Sequence, residues 1–470
     1  MKNKIFKSIL VAGLLFSTVN IFAQNANSQI EDSQGEISSA NFADSFSEDS
    51  IETWIADFEN KTNSQIGMQK DGKTFYSGVA TVKGLATDPS YPKNLVIAFE
   101  KAMLNLQADF ILQSYGELSV EKIQDEFSDD SDNRNKFDDE FVKEQIKQGK
   151  LNSVLDKMVA VLENNLDAQL EKLGVPAEAV KNKTIEQKKL LYKDNFKKST
   201  MKKAIERISG LVPVQTKVVT MKTEKGNAIQ IGVIAVISDK TIQFAKDMSL
   251  QRPTKINGKP KEINSILPLK QEGFLDEFGM RYIYDEEGRP MLLSYGRWSV
   301  TNESSDPAKY LKSIQMAQQK ARMNAESYIV EFMKTNIEAA KSAGTEDIDE
   351  EILTRATDYD ATTGNINSQN SEKEKIEDLV DTYFSKIKAK AKAQLKGTSQ
   401  VKTWKAKDEN GHLHVGSVVT WSYAQLDNVN AIDNIKNNVK HDKKEEQKET
   451  KKSSSVVERK SKLVNDTNDF

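Results

Sequence analysis

The 470-residue sequence predicts an α+β fold of two homologous modules, each an antiparallel four-stranded sheet with helices packed on one face. Two observations predict it. Strand, turn and helix signals occur twice in the same order, and about ten anchor positions agree between the copies. Within each copy the order is hairpin, helix, helix, hairpin. We therefore expect a first module at residues 51–245, a proline-containing linker at 246–267 and a second module at 268–425.

Each copy opens with a Gly-Met pair, a turn and a strand, at residues 67–82 and 279–301. A glycine falls inside each opening strand, Gly78 in the first copy and Gly296 in the second. Ten residues after each glycine stands an Asp-Pro pair. This pair predicts a helix start, because Asp caps free amides and Pro fits the first helical turn.

The helix that follows carries the pattern Ala-x-x-Lys-Ala-x-x-Asn in both copies, at residues 98–105 and 317–324. The two alanines of each pattern are four residues apart and share a helix face, so they allow close packing. An insertion then follows in each copy. We expect it at about residues 120–186, where it is acidic and helical, and at about residues 342–370.

A second helix and a closing hairpin complete each copy. The second helices are expected at residues 189–208 and 373–395. In the latter, apolar residues follow the spacing of a core-facing stripe. The closing hairpins are expected at residues 214–237 and 401–421. Residues that recur at matching places around these hairpins are Gly210, Gly232 and Ser238 in the first copy and Gly397, Gly416 and Ser422 in the second.

This order of elements resembles small cell-envelope modules, among them the amino-terminal domain of flagellar assembly protein T and related small outer-membrane lipoproteins. The resemblance is carried by the helix at 317–325 and the hairpin at 397–421, with the same pattern at 98–108 and 210–237. The whole chain also resembles uncharacterised exported proteins of a domain-of-unknown-function family. The resemblance implies an envelope location and non-catalytic assembly or binding. The chain departs from the lipoproteins because it has no cysteine to carry a lipid anchor.

Residues 1–23 are typical of a secretory signal peptide. Three lysines precede an apolar run at residues 9–22, which is shorter than the roughly 20 residues of a membrane-spanning helix. We expect cleavage after Ala23, and the residues around it resemble export signals of Gram-negative bacteria with Bacteroides-type envelopes. The alternative is an uncleaved anchor helix. With cleavage, the mature protein is expected to be periplasmic or secreted, with no transmembrane segment.

The two ends of the mature chain are polar. Residues 24–50 form an acidic, serine-rich leader that is expected to be disordered, and residues 426–470 form a charged tail that is expected to be disordered or helical. The net charge of the whole chain is −3. This balance gives no electrostatic reason to expect a nucleic-acid partner.

Two groups of residues are candidates for binding a metal. His412 and His414 lie two residues apart on the last strand, so both imidazoles can face one metal ion, although two surface histidines beside a turn would show the same spacing. Asp358, Asp360 and Thr362 nearly match a calcium loop, and a solvated acidic loop is the alternative. The sequence predicts no cofactor, and calcium is the candidate if a metal binds.

Four aromatic residues are candidates for binding a sugar. Trp298, Trp404, Trp421 and Tyr423 fall on or beside the strands of the second module. Their rings could form a stacking platform for a glycan. Alternatively, they fill the core between sheet and helices, which is the commoner role of such residues.

No motif of nucleophilic catalysis or nucleotide binding occurs in the sequence. We therefore expect a non-enzymatic exported protein of the cell envelope that acts in assembly or binds a protein or glycan. One alternative is an exported carboxylate-dependent hydrolase of the glycosidase type, since two carboxylates suffice for that chemistry. Another is a calcium-stabilised surface protein. The sequence leaves enzymatic activity uncertain and favours its absence.

Overall fold

The computed structural model describes residues 50–127, 133, 135–223, 226–300, 305–333 and 395–439, with side chains as far as residue 432. Over these residues it confirms the α+β fold with two four-stranded antiparallel sheets. The expected signal peptide, nearly all of the leader, the insertion of the second module, its second helix up to residue 394 and the tail from residue 440 lie outside the described residues.

The first sheet has the strand order β1-β2-β4-β3. Its strands are β1 Gln69–Lys70, β2 Lys73–Val82, β3 Val212–Thr223 and β4 Gly226–Ser238. The helices described around it are α1 Ile51–Thr62, α2 Tyr91–Phe127, α3 Asp139–Lys147, α4 Leu151–Val161, α5 Leu166–Lys172, α6 Ala177–Val180, α7 Ile185–Glu206 and α8 Asp239–Ser249.

The second sheet has the order β5-β6-β8-β7, which is the same topology. Its strands are β5 Gly279–Tyr284, β6 Pro290–Ser299, β7 Thr398–Lys407 and β8 Leu413–Trp421. The helices described with it are α9 Ile263–Ile266, α10 Pro307–Met333 and α11 Tyr423–Val439. In both sheets, the second strand of the opening hairpin pairs with the second strand of the closing hairpin.

Helix α2 continues to residue 127, beyond the expected start of the insertion at about residue 120. Its buried face continues through Leu118, Ile123 and Phe127, so the apolar stripe does not end where the acidic residues begin. Helices α3 to α7 then add their own apolar side chains to the same core. The insertion of the first module is thus part of the packed structure.

The long helices α2 and α10 lie on one face of their sheets, as expected, but the opposite faces are covered as well. Ile51 and Trp54 of α1 pack on the first sheet. Leu267 and Phe274, from the segment that includes the 3-10 turn Glu272–Asp276, pack on the second. Ile51, Trp54, Ile55 and Phe58 of α1 follow the spacing of an amphipathic helix, which the expected order of hairpin, helix, helix, hairpin did not include. The segment before β5 is too short and irregular to show such a pattern.

The long helix of each module touches its sheet at a glycine. A Cβ atom on Gly78 would lie 2.1 Å from the carbonyl oxygen of Ala102, and one on Gly296 would lie 1.9 Å from the carbonyl oxygen of Ala321. No real Cβ fits at such distances. The helix backbone therefore rests directly on the strand, which explains the glycine and the alanine that recur in both copies.

An asparagine side chain makes a hydrogen bond across each of these helix–strand contacts. The side-chain amide of Asn105 donates a hydrogen bond to the carbonyl oxygen of Val79 at 2.9 Å, and that of Asn324 donates to the carbonyl oxygen of Arg297 at 3.2 Å. Each acceptor belongs to the residue that follows the contact glycine. The repeated Ala-x-x-Lys-Ala-x-x-Asn pattern thus describes one helix–strand contact made twice.

The two modules pack against each other. One apolar cluster combines Phe244 and Met248 of α8 with Phe332 and Trp421 of the second module. The ring of Phe99 on α2 lies 5.5 Å from that of Phe278 between centroids. Helix α8 extends to residue 249 and so includes the first residues of the stretch for which the sequence predicts a linker.

None of the described helices combines the length and apolarity needed to cross a lipid bilayer.

Replacement of Gly296 by alanine is expected to destabilise the protein by at least about 3 kcal/mol, because the added methyl would overlap the backbone of Ala321. The same result is expected for Gly78→Ala. Urea unfolding followed by circular dichroism measures the loss.

Gly116→Ala is the matched control. Gly116 lies inside α2 and a Cβ there would make an ordinary 3.5 Å contact with Ile146, so the substitution should stabilise the helix by up to about 1 kcal/mol. Equal effects at Gly116 and Gly296 would contradict the role given to the helix–strand contact.

Candidate functional site

The face of the second sheet that is turned away from α10 carries a group of buried polar residues. Arg297 on β6 pairs with Gly416 on β8, and Trp404 on β7 pairs with the same glycine from the other side. Two residues further along, Ser299 pairs with His414. Because side chains alternate along strands, Arg297, Ser299, Trp404 and His414 all project from this face. We call these four residues the Arg297 cluster.

Gly416 determines where the indole of Trp404 lies. A Cβ on Gly416 would be 2.0 Å from the indole, so the ring lies flat across the central strand toward β6. Trp404 is only 2% exposed, and its ring stacks on that of Phe274 at 5.5 Å. The guanidinium carbon of Arg297 lies 5.5 Å from the centroid of the same indole.

Arg297 is 2% exposed and is held by backbone and aromatic groups. Its Nη2 donates to the carbonyl oxygens of Phe274 and Leu275, both at 2.7 Å. Its guanidinium carbon lies 4.0 Å from the centroid of the Phe278 ring, a cation–π contact. Burial lowers the pKa of Arg297 to about 10, so the side chain stays positively charged at neutral pH.

Several donors of the cluster have no partner. The Nε and Nη1 atoms of Arg297 are buried without a hydrogen bond, and so are Nε1 of Trp404 and Oγ of Ser299. Over the described part of the chain, the ion pairs formed by other arginines have no counterpart at Arg297. A buried charge without a charged partner costs several kcal/mol of folding free energy. The cluster therefore holds unused hydrogen-bonding capacity at a cost in stability.

Asp408 organises the hairpin next to the cluster. Its Oδ2 atom accepts hydrogen bonds from Nδ1 of His412 at 3.2 Å and from Nε2 of His414 at 3.0 Å. Its Oδ1 atom accepts from the backbone amides of Asn410 and His412. One carboxylate thus shapes the turn and fixes both imidazole rings.

The surroundings of Asp408 and His414 determine which of the two side chains is charged at neutral pH. Burial, followed by the nearby charge of Arg297, lowers the pKa of His414 to about 4, so the ring is neutral at pH 7. Burial raises the pKa of Asp408, but the hydrogen bonds from His414 and from the backbone of His412 outweigh it and leave that pKa below its usual range. Asp408 is therefore an ionised acceptor, and Nε2 of His414 carries the proton between them.

The first module reaches this hairpin. The ring of Tyr91, in the first turn of α2, lies 6.3 Å from that of His412 between centroids. Burial, and then the charge of Asp408, raise the pKa of Tyr91. The polar residues of the second sheet thus lie at the junction of the modules.

His412 and His414 do come together, as the sequence suggests, but the group that they share is the carboxylate of Asp408. Among the described residues, no set of three or more His, Asp or Glu side chains is arranged to hold a metal ion. The candidate calcium ligands Asp358, Asp360 and Thr362 lie outside the described residues.

The four candidate aromatic residues lie in different surroundings. Trp404, Trp421 and Tyr423 are buried in the apolar clusters of the second module, and Nε1 of Trp421 donates to the carbonyl oxygen of Lys396 at 2.7 Å. Their rings are not accessible for stacking on a sugar. Trp298 is half-buried, with Nζ of Lys320 5.0 Å from its ring, and is the member of the set with exposed ring surface.

Arg297 and Asp408 are not among the site residues that the sequence predicts. A signal for Arg297 was present in the repeat: it follows Gly296, and the residue that follows Gly78 in the first copy is the apolar Val79. A charged residue at a position that is apolar in the other copy indicates that the two positions have different roles. Asp408 carried no such signal, because its contacts depend on the path of the turn.

Residues 151–250 match the model of a family described as Domain of unknown function (DUF6844), and the matched stretch runs from α4 to α8. A hypothetical protein of Francisella tularensis, known from a 2.3 Å crystal structure, is similar over 79% of this chain and 88% of its own, with 21% identity and a TM-score of 0.43. No curated protein matches the chain. The family match supports the expected relation to a family of unknown function and assigns no activity.

Replacement of His414 by glutamine is expected to change how stability depends on pH. The pKa of His414 is about 4 in the folded protein and 6.5 in the unfolded chain, so the unfolded state binds more protons between these values. The wild type should therefore lose about 3 kcal/mol of stability through this residue as the pH falls from 6.5 to 4.

The variant His414→Gln lacks this ionisation and can still donate to Asp408. Urea unfolding of both proteins at several pH values measures the difference in slope. Parallel stability curves for wild type and variant over this range would contradict a buried, neutral His414.

Proposed function

We propose that this protein is exported to the cell envelope and binds a protein or glycan partner there without catalysing a reaction, and that the Arg297 cluster is part of its binding site. The signal-peptide pattern of residues 1–23 supports export. The resemblance to the amino-terminal domain of flagellar assembly protein T and to Bacteroides-type exported proteins supports an envelope role. The observation that carries the binding site is the buried guanidinium of Arg297, whose Nε and Nη1 atoms have no hydrogen-bond partner.

The first module supports this interpretation of Arg297. At the matching position it has Val79, which packs in an apolar cluster beneath α1. The module therefore folds without a charge at this place. Because an unpaired buried charge reduces stability, its presence in one module only favours a role in recognition over a role in folding.

The ionisable groups beside Arg297 favour binding over catalysis. Asp408 is ionised and accepts hydrogen bonds from both histidines. His414 has a pKa of about 4, which makes it a weak base at neutral pH. Asp408 and His414 are thus hydrogen-bonded to each other.

The hydrolase alternative has a candidate acid in Glu206. Burial raises the pKa of this carboxyl group, and Lys202 and Lys203 partly oppose the shift. A raised pKa suits a general acid. A glycosidase also needs a second carboxylate about 5–10 Å away, and none is among the groups that shift the pKa of Glu206. Binding is therefore the better-supported function.

Affinity capture from an envelope extract tests the binding proposal. The mature protein should recover an envelope protein or glycan, and Arg297→Met should lose it. Arg322→Met is the matched control, because Arg322 lies on the exposed side of α10, where it pairs with Glu326. Identical recovery by wild type and Arg297→Met, or recovery of nothing by the wild type, would refute the proposal.

Export is tested separately by cell fractionation and intact-mass measurement. The protein recovered outside the cytoplasm is expected to begin at Gln24, since cleavage follows Ala23. Deletion of the apolar run at residues 9–22 should retain the protein in the cytoplasm. Release of the deletion variant, or an uncleaved wild-type mass, would refute this route.

A further inference from the structure

We propose that the Arg297 cluster binds an oxyanion, which is the carboxylate or phosphate group of a ligand, through Nε and Nη1 of Arg297, Nε1 of Trp404 and Oγ of Ser299. This inference rests on the proposed function, in which the same cluster is part of a binding site. It goes further by assigning the chemical class of the group that is recognised.

The unpaired atoms of the cluster are all able to donate hydrogen bonds. The arginine and indole nitrogens can only donate hydrogen bonds, and the serine hydroxyl can donate or accept. Nη2 of Arg297 uses its two N–H groups on the carbonyl oxygens of Phe274 and Leu275, so three of the five guanidinium donors are unused. A set of donors requires an acceptor as its complement.

The positive charge of Arg297 favours an anionic ligand. The described partners of Arg297 are neutral: two backbone carbonyl groups and the rings of Phe278 and Trp404. Asp276 and Glu277 act on the charge of Arg297 without a hydrogen bond to it. A negatively charged acceptor would add a directly bonded counter-charge, and hydrogen bonds between charged groups are about twice as strong as neutral ones. An oxyanion is therefore favoured over a neutral amide or hydroxyl group.

The unpaired donors lie on the same face of the second sheet. Arg297 and Trp404 flank Gly416 in one row across the sheet, and the pyrrole edge of the indole lies directly above this glycine. Ser299 is the next residue of β6 on the same face. Donors from β6 and β7 thus lie on one face of the sheet, and the indole of Trp404 extends over Gly416 to within 5.5 Å of the guanidinium carbon of Arg297.

The acidic groups around the cluster are compatible with an anion. Asp408 is already held by two histidines, and the carboxylate of Glu277 pairs with Arg281 at 2.9 Å. Asp276 lies on the exposed side of the covering segment. His414 is neutral at pH 7, so Arg297 remains the formal positive charge of the cluster.

Thermal unfolding and calorimetric titration of the full-length protein with acetate, inorganic phosphate and sulfate test the site. At least one of these probes should raise the melting temperature saturably, and sodium chloride of equal ionic strength should not. A response to acetate alone identifies a carboxylate, and a response to phosphate and sulfate identifies a phosphate group. No saturable response to any of the three would overturn the proposal.

Variants connect the response to the cluster. Arg297→Met should abolish it, but it also leaves two carbonyl groups without a donor, so it risks misfolding. Ser299→Ala and Trp404→Phe keep Arg297 in place, and each should weaken the responding probe about tenfold through the loss of one hydrogen bond to a charged group. Arg322→Met should bind like the wild type. Unchanged affinity in both Ser299→Ala and Trp404→Phe would overturn the assignment.

The two proposals fail in different ways. If envelope capture depends on Arg297 but no oxyanion binds, the binding function stands and the oxyanion site is wrong. If oxyanions bind through the cluster but capture does not depend on Arg297, the site stands and its place in partner binding is wrong.

Discussion

The contact between a long helix and a strand glycine is the constraint on which each module depends. At Gly78 and at Gly296 the helix backbone occupies the space that any side chain would need. This approach brings the sheet and the helix closer than ordinary side-chain packing allows. The asparagine one turn later in the helix, Asn105 or Asn324, then binds the carbonyl group of the next strand residue. In each copy, a glycine, an alanine and an asparagine thus determine where the helix contacts the strand and how closely the two approach.

The same contact positions Arg297. Because Gly296 faces α10, its neighbour in the strand must project from the opposite face. Asn324 holds the carbonyl group of Arg297 itself, so the backbone of the arginine is held from the helix side while its guanidinium group lies on the other. In the first module this geometry places an apolar side chain, Val79, beneath α1. The same helix–strand contact therefore directs an apolar side chain into the core of the first module and a charged side chain into the polar cluster of the second.

Much of this fold was predictable because its signals are local and repeated. The contact glycines, the alanines and the asparagines recur at fixed spacing, and Ser238 caps α8 as its position after β4 suggests. Helix α1 was predictable from the spacing of its apolar residues. The covering segment before β5 and the length of α2 were not, since their burial depends on residues far away in the chain. The contacts of His412 and His414 were likewise only partly predictable from the sequence. Spacing placed His412 and His414 on one side of the strand, but only the turn brought Asp408 between them. Arg297 is buried by Phe274 and Phe278, which no pattern on its own strand indicates.

A second glycine explains how the two modules could diverge without losing their fold. Gly232 and Gly416 occupy matching places in the central strands and both leave room for a tryptophan. In the first module that tryptophan is Trp54, which comes from α1 together with Ile51 and seals the face with apolar surface. In the second it is Trp404, which comes from the neighbouring strand and leaves its Nε1 unpaired beside Arg297. A glycine at this position of the central strand therefore leaves room for a tryptophan that comes either from a helix or from the neighbouring strand. A change in which segment supplies the tryptophan, together with Arg297 in the place of Val79, converts an apolar cover into a face with free donors. The helix–strand contact on the other side of the sheet stays the same.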